Sequence, residues 1–94
     1  MSFNFEWDFE KAKKNLKKHN VNFDEAMTIF DDPLSYTFDD PDHSIDEKRE
    51  ITIGLSIKNR LLLVFSTERN HKIRIFSARE ATNYERKNYE KSSK

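Results

Sequence analysis

The chain has 94 residues, which is enough for one hydrophobic core, so we expect a single domain over residues 1–94. It contains no Cys, which excludes disulfides, thiolate zinc ligands and cysteine nucleophiles. The formal net charge is zero, which argues against a protein built mainly to coat nucleic acid. Because we find neither a signal-peptide pattern nor an apolar stretch long enough for a membrane span, we expect a soluble cytoplasmic protein.

The start of the chain predicts a strand and then a helix. Apolar and polar residues alternate over residues 3–7, as in a half-buried strand. Asp8 can cap a helix that runs to about Lys18, because its carboxylate suits the free N–H groups at a helix start. Asn20 tolerates the left-handed conformation that closes helices, so we expect the helix to end there.

A second helix and two strands follow. Asn22 and Glu25 form a capping box, and the apolar spacing after them predicts a short helix that ends before Pro33. Alternating patterns predict strands over residues 34–38 and 51–55. An acidic loop, Asp39-Asp40-Pro41-Asp42-His43-Ser44, follows the first of these two strands.

The last third predicts the centre of the sheet and a final helix. The apolar run in residues 60–65 is typical of a strand covered on both faces. Residues 72–77 alternate as a further strand. We expect residues 78–81 to form a bend, after which Thr82 and Glu85 cap the last helix. We write the order as β-α-α-β-β-β-α and predict an α+β fold, with an antiparallel sheet packed with helices.

Two arginines suit phosphate chemistry. A ribonuclease without a metal helps the ribose 2′-hydroxyl attack the adjacent phosphate, which requires proton transfer and positive charge on the developing phosphorane. Arg74 and Arg79 bracket the junction of the last strand and helix, and a guanidinium group binds phosphate with two parallel hydrogen bonds. We expect both groups to meet a phosphate in one shared pocket. The alternative for Arg74 is an outward sheet residue paired with an acid.

Other cations are candidates for RNA binding. Arg60 and Lys72 can bind RNA phosphates next to those bound by Arg74 and Arg79. Lys18 lies in a lysine-rich helix, and the commoner role of such a helix is to keep a surface solvated.

His19 is the candidate acid or base, since an imidazole exchanges protons near neutral pH. Its position in the last turn of a helix by itself favours a structural role, in which it bonds free carbonyls. Glu68 or a lysine can serve as the general base instead.

The sequence gives little support for a metal or cofactor. The three His are far apart, and no pair has zinc-motif spacing. The acidic loop does not match an EF-hand, because Ile45 and Ile51 replace its Gly and Glu. One glycine, Gly54, cannot make a dinucleotide fingerprint or a P-loop. We therefore expect no metal and no cofactor.

Several segments together resemble the BrnT toxins. The resemblance runs from about Phe5 to Tyr89. It is carried by Phe5-Glu6-Trp7-Asp8, Asn15-Leu16-Lys17-Lys18-His19, Phe23-Asp24-Glu25-Ala26, Phe30-Asp31-Asp32-Pro33, Arg60-Leu61-Leu62, Arg74-Ile75-Phe76-Ser77-Ala78-Arg79, Ala81-Thr82 and Glu85-Arg86.

The resemblance implies a RelE-like fold and a toxin of a type II toxin–antitoxin system that cleaves RNA and arrests translation. It also implies neutralisation by a BrnA-type antitoxin, a DNA-binding protein, so that DNA is contacted only through the antitoxin. By motif it makes His19, Arg74 and Arg79 the active-site positions and Trp7 a conformational support. Two positions depart from the family: Asn20 replaces the usual Gly, and Phe76 replaces a smaller aliphatic residue.

The alternative is a non-catalytic module that uses the same cationic residues only to bind RNA or a partner. A purely structural subunit that docks a basic partner on its acidic loop is a third possibility. Cleavage of RNA in the presence of EDTA distinguishes a metal-independent ribonuclease from these two alternatives.

Overall fold

The computed structural model describes residues 4–43 and 47–92, which contain five strands, three α-helices and two short 3₁₀ segments. The strands are β1 (Phe5–Trp7), β2 (Tyr36–Asp39), β3 (Glu50–Leu55), β4 (Leu61–Arg69) and β5 (Lys72–Glu80). The helices are α1 (Phe9–His19), α2 (Phe23–Ala26) and α3 (Asn83–Ser92), and the 3₁₀ segments are Met27–Asp31 and Pro41–His43.

The five strands form one sheet in the order β1-β5-β4-β3-β2. β1 lies parallel to β5, whereas the other neighbours are antiparallel. The α+β class is confirmed. The prediction of a purely antiparallel sheet is wrong, because the first strand, β1, lies at the edge of the sheet beside the last strand, β5, and runs parallel to it. The order as we wrote it is one strand short, because the four strands predicted individually after the second helix all form between α2 and α3.

The core lies on both faces of the sheet. Leu62 and Val64 of β4 pack under α1 and α2, and Leu61 and Leu63 of the same strand pack on the other face with Tyr89 of α3. All four β4 residues are at most 2% exposed. The prediction of a central strand covered on both faces is therefore confirmed.

The predicted helix ends are confirmed by their hydrogen bonds. The Asp8 carboxylate accepts from the Lys11 N–H at 3.0 Å, and the Asn22 side chain accepts from the Glu25 N–H at 2.8 Å. Asn20 adopts the left-handed conformation, with φ of 58°, immediately after α1. Each of these features depends on residues that are close together in the chain, so it can be recognised from the sequence.

The predicted bend over residues 78–81 is wrong, because β5 continues through Glu80 and pairs with β4 over this length. The capping box after it is confirmed: Thr82 Oγ1 accepts from the Glu85 N–H at 3.2 Å. Phe3 of the first predicted strand and Ser44 of the acidic loop lie outside the described residues.

Tyr89 holds α3 on the sheet. Its ring stacks on Tyr36 with centroids 6.5 Å apart, and its hydroxyl donates to Asp32 at 2.7 Å. Burial and the Asp32 carboxylate raise the pKa of Tyr89 to about 12. Within the described ranges, none of the helices has the length and apolar character that a membrane crossing needs.

Candidate active site

A β-bulge in β5 determines which of its side chains share a face. The register shifts between Phe65 and Ser66 of β4, so Phe76 is an extra residue in β5. Side chains five residues apart in a regular strand point to opposite faces. Because the bulge adds one residue, Arg74 and Arg79 lie on the same face of the sheet.

Asn15 of α1 covers the edge of β5 beyond β1. Its amide nitrogen donates to the carbonyls of Ala78 and Val21, both at 2.9 Å. Its Oδ1 accepts from the Ala78 N–H at 3.1 Å and from the Ser77 hydroxyl at 3.2 Å. The buried Asn15 side chain thus satisfies the backbone N–H and C=O of Ala78 at the strand edge, and it holds the end of α1 against β5.

A cleft with two lobes, which we call the edge cleft, opens beside this junction. The first lobe, of about 290 Å³, is lined by His19, Asp40, Arg49, Phe65, Phe76, Ser77 and Arg79. The second, of about 360 Å³, is lined by Lys11, Lys14, Asn15, Lys18, His19, Arg49, Phe76 and Ser77. Four residues are common to the two lobes, and cations predominate among the charged groups, so the cleft suits an anionic ligand.

The structure brings His19 and Arg79 to this cleft. His19 is the last residue of α1, where the left-handed turn at Asn20 ends the helix, and its side chain is half-buried. Arg79 is near the end of β5 and is also half-buried. Its guanidinium carbon lies 5.8 Å from the centre of the Phe65 ring. The two groups predicted to act together thus share one lobe.

Glu85 of α3 fixes the position of Arg79. Both terminal nitrogens of Arg79 donate to the Glu85 carboxylate, at 2.8 and 2.9 Å. These hydrogen bonds, together with those from Thr82, hold the pKa of Glu85 at about 2. The pKa of Arg79 is raised for the same reason. The guanidinium is therefore well oriented, but its charge is partly offset.

Arg74 is not among the residues that line the edge cleft. It donates to the Glu6 carboxylate of β1 at 3.4 Å, in an ion pair between residues that face each other in the sheet. With the bulge residue subtracted, it lies four strand steps from Arg79, or roughly 13 Å. None of the clefts identified among the described residues is lined by both arginines, although the two share a face.

Arg60 is held in a partly buried ion pair next to the end of α1. Its guanidinium donates twice to Glu25, which is 5% exposed, and once to the Asn20 carbonyl at 3.0 Å. The Arg60 hydrogen bonds lower the pKa of Glu25. The pair connects α2 to the start of β4 and lies outside the cleft lining.

The two predicted lysines differ in position. Lys18 lines the second lobe of the edge cleft, next to His19. Lys72 begins β5 and is exposed, opposite Arg69 in the sheet register, and it does not line the cleft.

Sequence reasoning missed Arg49 and Asp40, which line the first lobe with His19. Asp40 is only 5% exposed. A signal for both existed: Arg49 continues the alternation of Ile51 and Ile53, and Asp40 continues that of Tyr36 and Phe38. Extending each strand pattern by two residues would have placed both on the face of Arg79.

The edge cleft offers groups for phosphoryl transfer: an imidazole that can move a proton, and guanidinium and ammonium groups that can bind a phosphate. Across the described part of the chain there is no group of three or more His, Asp or Glu residues arranged to hold a metal ion.

Comparison with known proteins agrees with the predicted resemblance. The sequence model described as "Ribonuclease toxin, BrnT, of type II toxin-antitoxin system" matches residues 7–85. The crystal structure of the Brucella abortus ribonuclease toxin BrnT has a similar fold, with a TM-score of 0.66 and 18% identity over 87% of this chain and all of that chain. No curated protein matches the chain. Since the family match covers most of the chain, the protein belongs to the BrnT family of ribonuclease toxins of type II toxin–antitoxin systems.

Proposed function

We propose that this protein cleaves RNA in the edge cleft without a metal ion, as a toxin that arrests translation in the cytoplasm. The observation that carries the proposal is that His19 and Arg79 line the same lobe of a cationic cleft. Family membership supports ribonuclease activity and the existence of an antitoxin.

The proposed reaction is attack of a ribose 2′-hydroxyl on the adjacent phosphorus. The new O–P bond forms as the bond to the 5′ oxygen breaks, which leaves a 2′,3′-cyclic phosphate and a 5′-hydroxyl. His19 transfers protons to or from the reacting oxygens. Arg79, oriented by Glu85, and Arg49 stabilise the negative charge of the phosphorane.

Binding of the flanking RNA is proposed to use the cations around the reaction centre. Lys18 lies in the second lobe and can bind a neighbouring phosphate. Arg74 lies on the same face as Arg79, some 13 Å along β5, and Lys72 lies two residues before Arg74, so both can bind RNA phosphates beyond the cleft. Arg60 is committed to Glu25, and we assign it a structural role.

The test is cleavage of an RNA transcript by the purified protein in the presence of EDTA. His19→Ala is expected to lower the cleavage rate by roughly 10²-fold or more, because it removes the proposed acid–base group. The matched control is His71→Asn, an exposed His outside the cleft whose positive φ of 66° an Asn tolerates. Intact RNA with the wild-type protein, or equal rates for the two variants, would contradict the proposal.

A second candidate is a module that binds RNA or a partner without cleaving it, because the Glu85 carboxylate offsets part of the Arg79 charge that is proposed to stabilise the phosphorane. Such a module would bind RNA tightly and in a salt-sensitive manner, yet yield no shortened products in the same assay.

We further propose that the fold is RelE-like and that a BrnA-type antitoxin neutralises the protein. DNA would then be contacted only through the antitoxin. Co-purification of the protein with the product of an adjacent reading frame, together with loss of RNA cleavage in the complex, tests the partner.

A further inference from the structure

We propose that Phe76 and Arg49 form a stacking platform for one unpaired RNA base. The inference rests on the proposed function, since it names the form of RNA that the edge cleft accepts.

The platform consists of a ring and a guanidinium group in contact. The Arg49 guanidinium carbon lies 4.2 Å from the centre of the Phe76 ring, within stacking distance. The Lys11 ammonium lies 5.3 Å from the same ring centre. Nucleobases stack on both aromatic rings and guanidinium planes. The guanidinium lies over the ring, so a base that enters the cleft can extend this stack.

The position of Phe76 distinguishes it from the packing aromatics. Both hydrophobic clusters of the described residues leave it out, whereas Phe23 and Tyr89 are in them. It is half-buried in the wall that the two lobes share. The bulge that inserts it into β5 thus places a large apolar ring among cations, where it gains little from core packing.

A cation over a Phe ring is not sufficient by itself, as Phe9 shows. The Lys13 ammonium lies 5.5 Å from the Phe9 ring centre, but Phe9 is 71% exposed and does not line the edge cleft. Phe76 differs because it lines both lobes of the cleft together with His19 and Arg49. Phe9 therefore provides a matched control.

Stacking on Phe76 requires an unpaired base. In an A-form duplex the face of each base is covered by its neighbours, and the edges lie in grooves. A single strand can turn one base onto the platform while its flanking phosphates lie near Arg79 in one lobe and Lys14 and Lys18 in the other. The ligand class is thus unpaired RNA.

The test measures binding of a 2′-O-methyl oligonucleotide, which lacks the attacking hydroxyl and stays intact with the wild-type protein. Fluorescence anisotropy gives the dissociation constants for the single strand and for the same strand in a duplex. Phe76→Leu is expected to weaken single-strand binding about tenfold, because it keeps an apolar side chain but removes the stacking face. Phe76→Tyr should restore it, and Phe9→Leu should bind like the wild type.

A second measurement does not depend on the folding of a variant. A series of strands, each with one abasic nucleotide, should include a position at which the wild-type protein binds about tenfold more weakly. In Phe76→Leu that position should lose its effect. Equal single-strand affinities for Phe76→Leu and the wild type, or equal losses for single strand and duplex, would overturn the platform.

The binding assay and the cleavage assay can fail separately. If Phe76→Leu leaves single-strand binding intact while His19→Ala abolishes cleavage, the platform is wrong and the nuclease proposal stands. If the wild-type protein cleaves no RNA but shows the Phe76-dependent preference for single strands, the platform stands and catalysis is wrong.

Discussion

The ion pair between Arg79 and Glu85 makes the stability of the protein depend on pH in a defined window. The pKa of Glu85 falls from an ordinary value of 4.5 to about 2 in the folded chain, chiefly because Arg79 donates two hydrogen bonds to it. A carboxylate whose pKa is lowered on folding stabilises the folded protein at pH values above its pKa in the unfolded chain. This contribution is lost as the pH falls through the window from 4.5 to about 2.

The size of the effect follows from this pKa difference. Each pH unit corresponds to about 1.4 kcal/mol, so the difference sets an upper bound of about 3 kcal/mol. The side chains are 32% and 24% exposed, so solvent screens the pair in part. We therefore expect about 1–2 kcal/mol, which is a measurable part of the stability of a small domain.

The assay is urea denaturation of the wild type and Glu85→Gln at several pH values between 7 and 2. Glu85→Gln should be less stable by about 1–2 kcal/mol at pH 7, and the gap should close as the pH approaches 2. The control is the double variant with Arg79→Met, whose second substitution should cost little once Glu85 is neutral. A gap that stays constant over the whole pH range would refute the assignment.

Two further substitutions test the packing around the site. Asn15→Ala leaves the backbone N–H and C=O of Ala78 without their partner at the strand edge, so it should lower the unfolding free energy by about 2–4 kcal/mol in urea denaturation. The control is Lys13→Ala, an exposed position on the same helix, which should change the unfolding free energy by less than about 0.5 kcal/mol. Gly54→Ala would place a Cβ 2.9 Å from Ser35 Cβ and 3.0 Å from the Ile29 carbonyl oxygen, so we expect the unfolding free energy to fall by about 1–3 kcal/mol. An unchanged denaturation midpoint in Asn15→Ala or Gly54→Ala would contradict the corresponding contact.

Features encoded by neighbouring residues could be predicted from the sequence. The caps at Asp8 and Asn22 and the closure at Asn20 depend on hydrogen bonds and dihedral angles within a few residues. The buried run at the start of β4 needed only its composition. For these elements the local preference and the tertiary structure agree, so the pattern was sufficient.

Features that depend on distant partners were missed. The parallel pairing of β1 with β5 joins residues almost 70 positions apart, such as Glu6 and Arg74. The same is true of the edge cleft, where Asp40 and Arg49 meet His19 only after the sheet has formed. No periodicity within one segment contains this information.

The bulge at Phe76 explains both the partial success and the error in the site prediction. A regular strand would have put Arg74 and Arg79 on opposite faces, and the extra residue puts them on one. The two arginines still lie roughly 13 Å apart along β5, and each one meets a carboxylate close to it, Glu6 for Arg74 and Glu85 for Arg79. The same insertion carries Phe76 to the wall of the cleft. The bulge thus puts both guanidinium groups on one face without bringing them together, and it provides an aromatic surface beside His19, which is why we place the reaction at Arg79 and the base at Phe76.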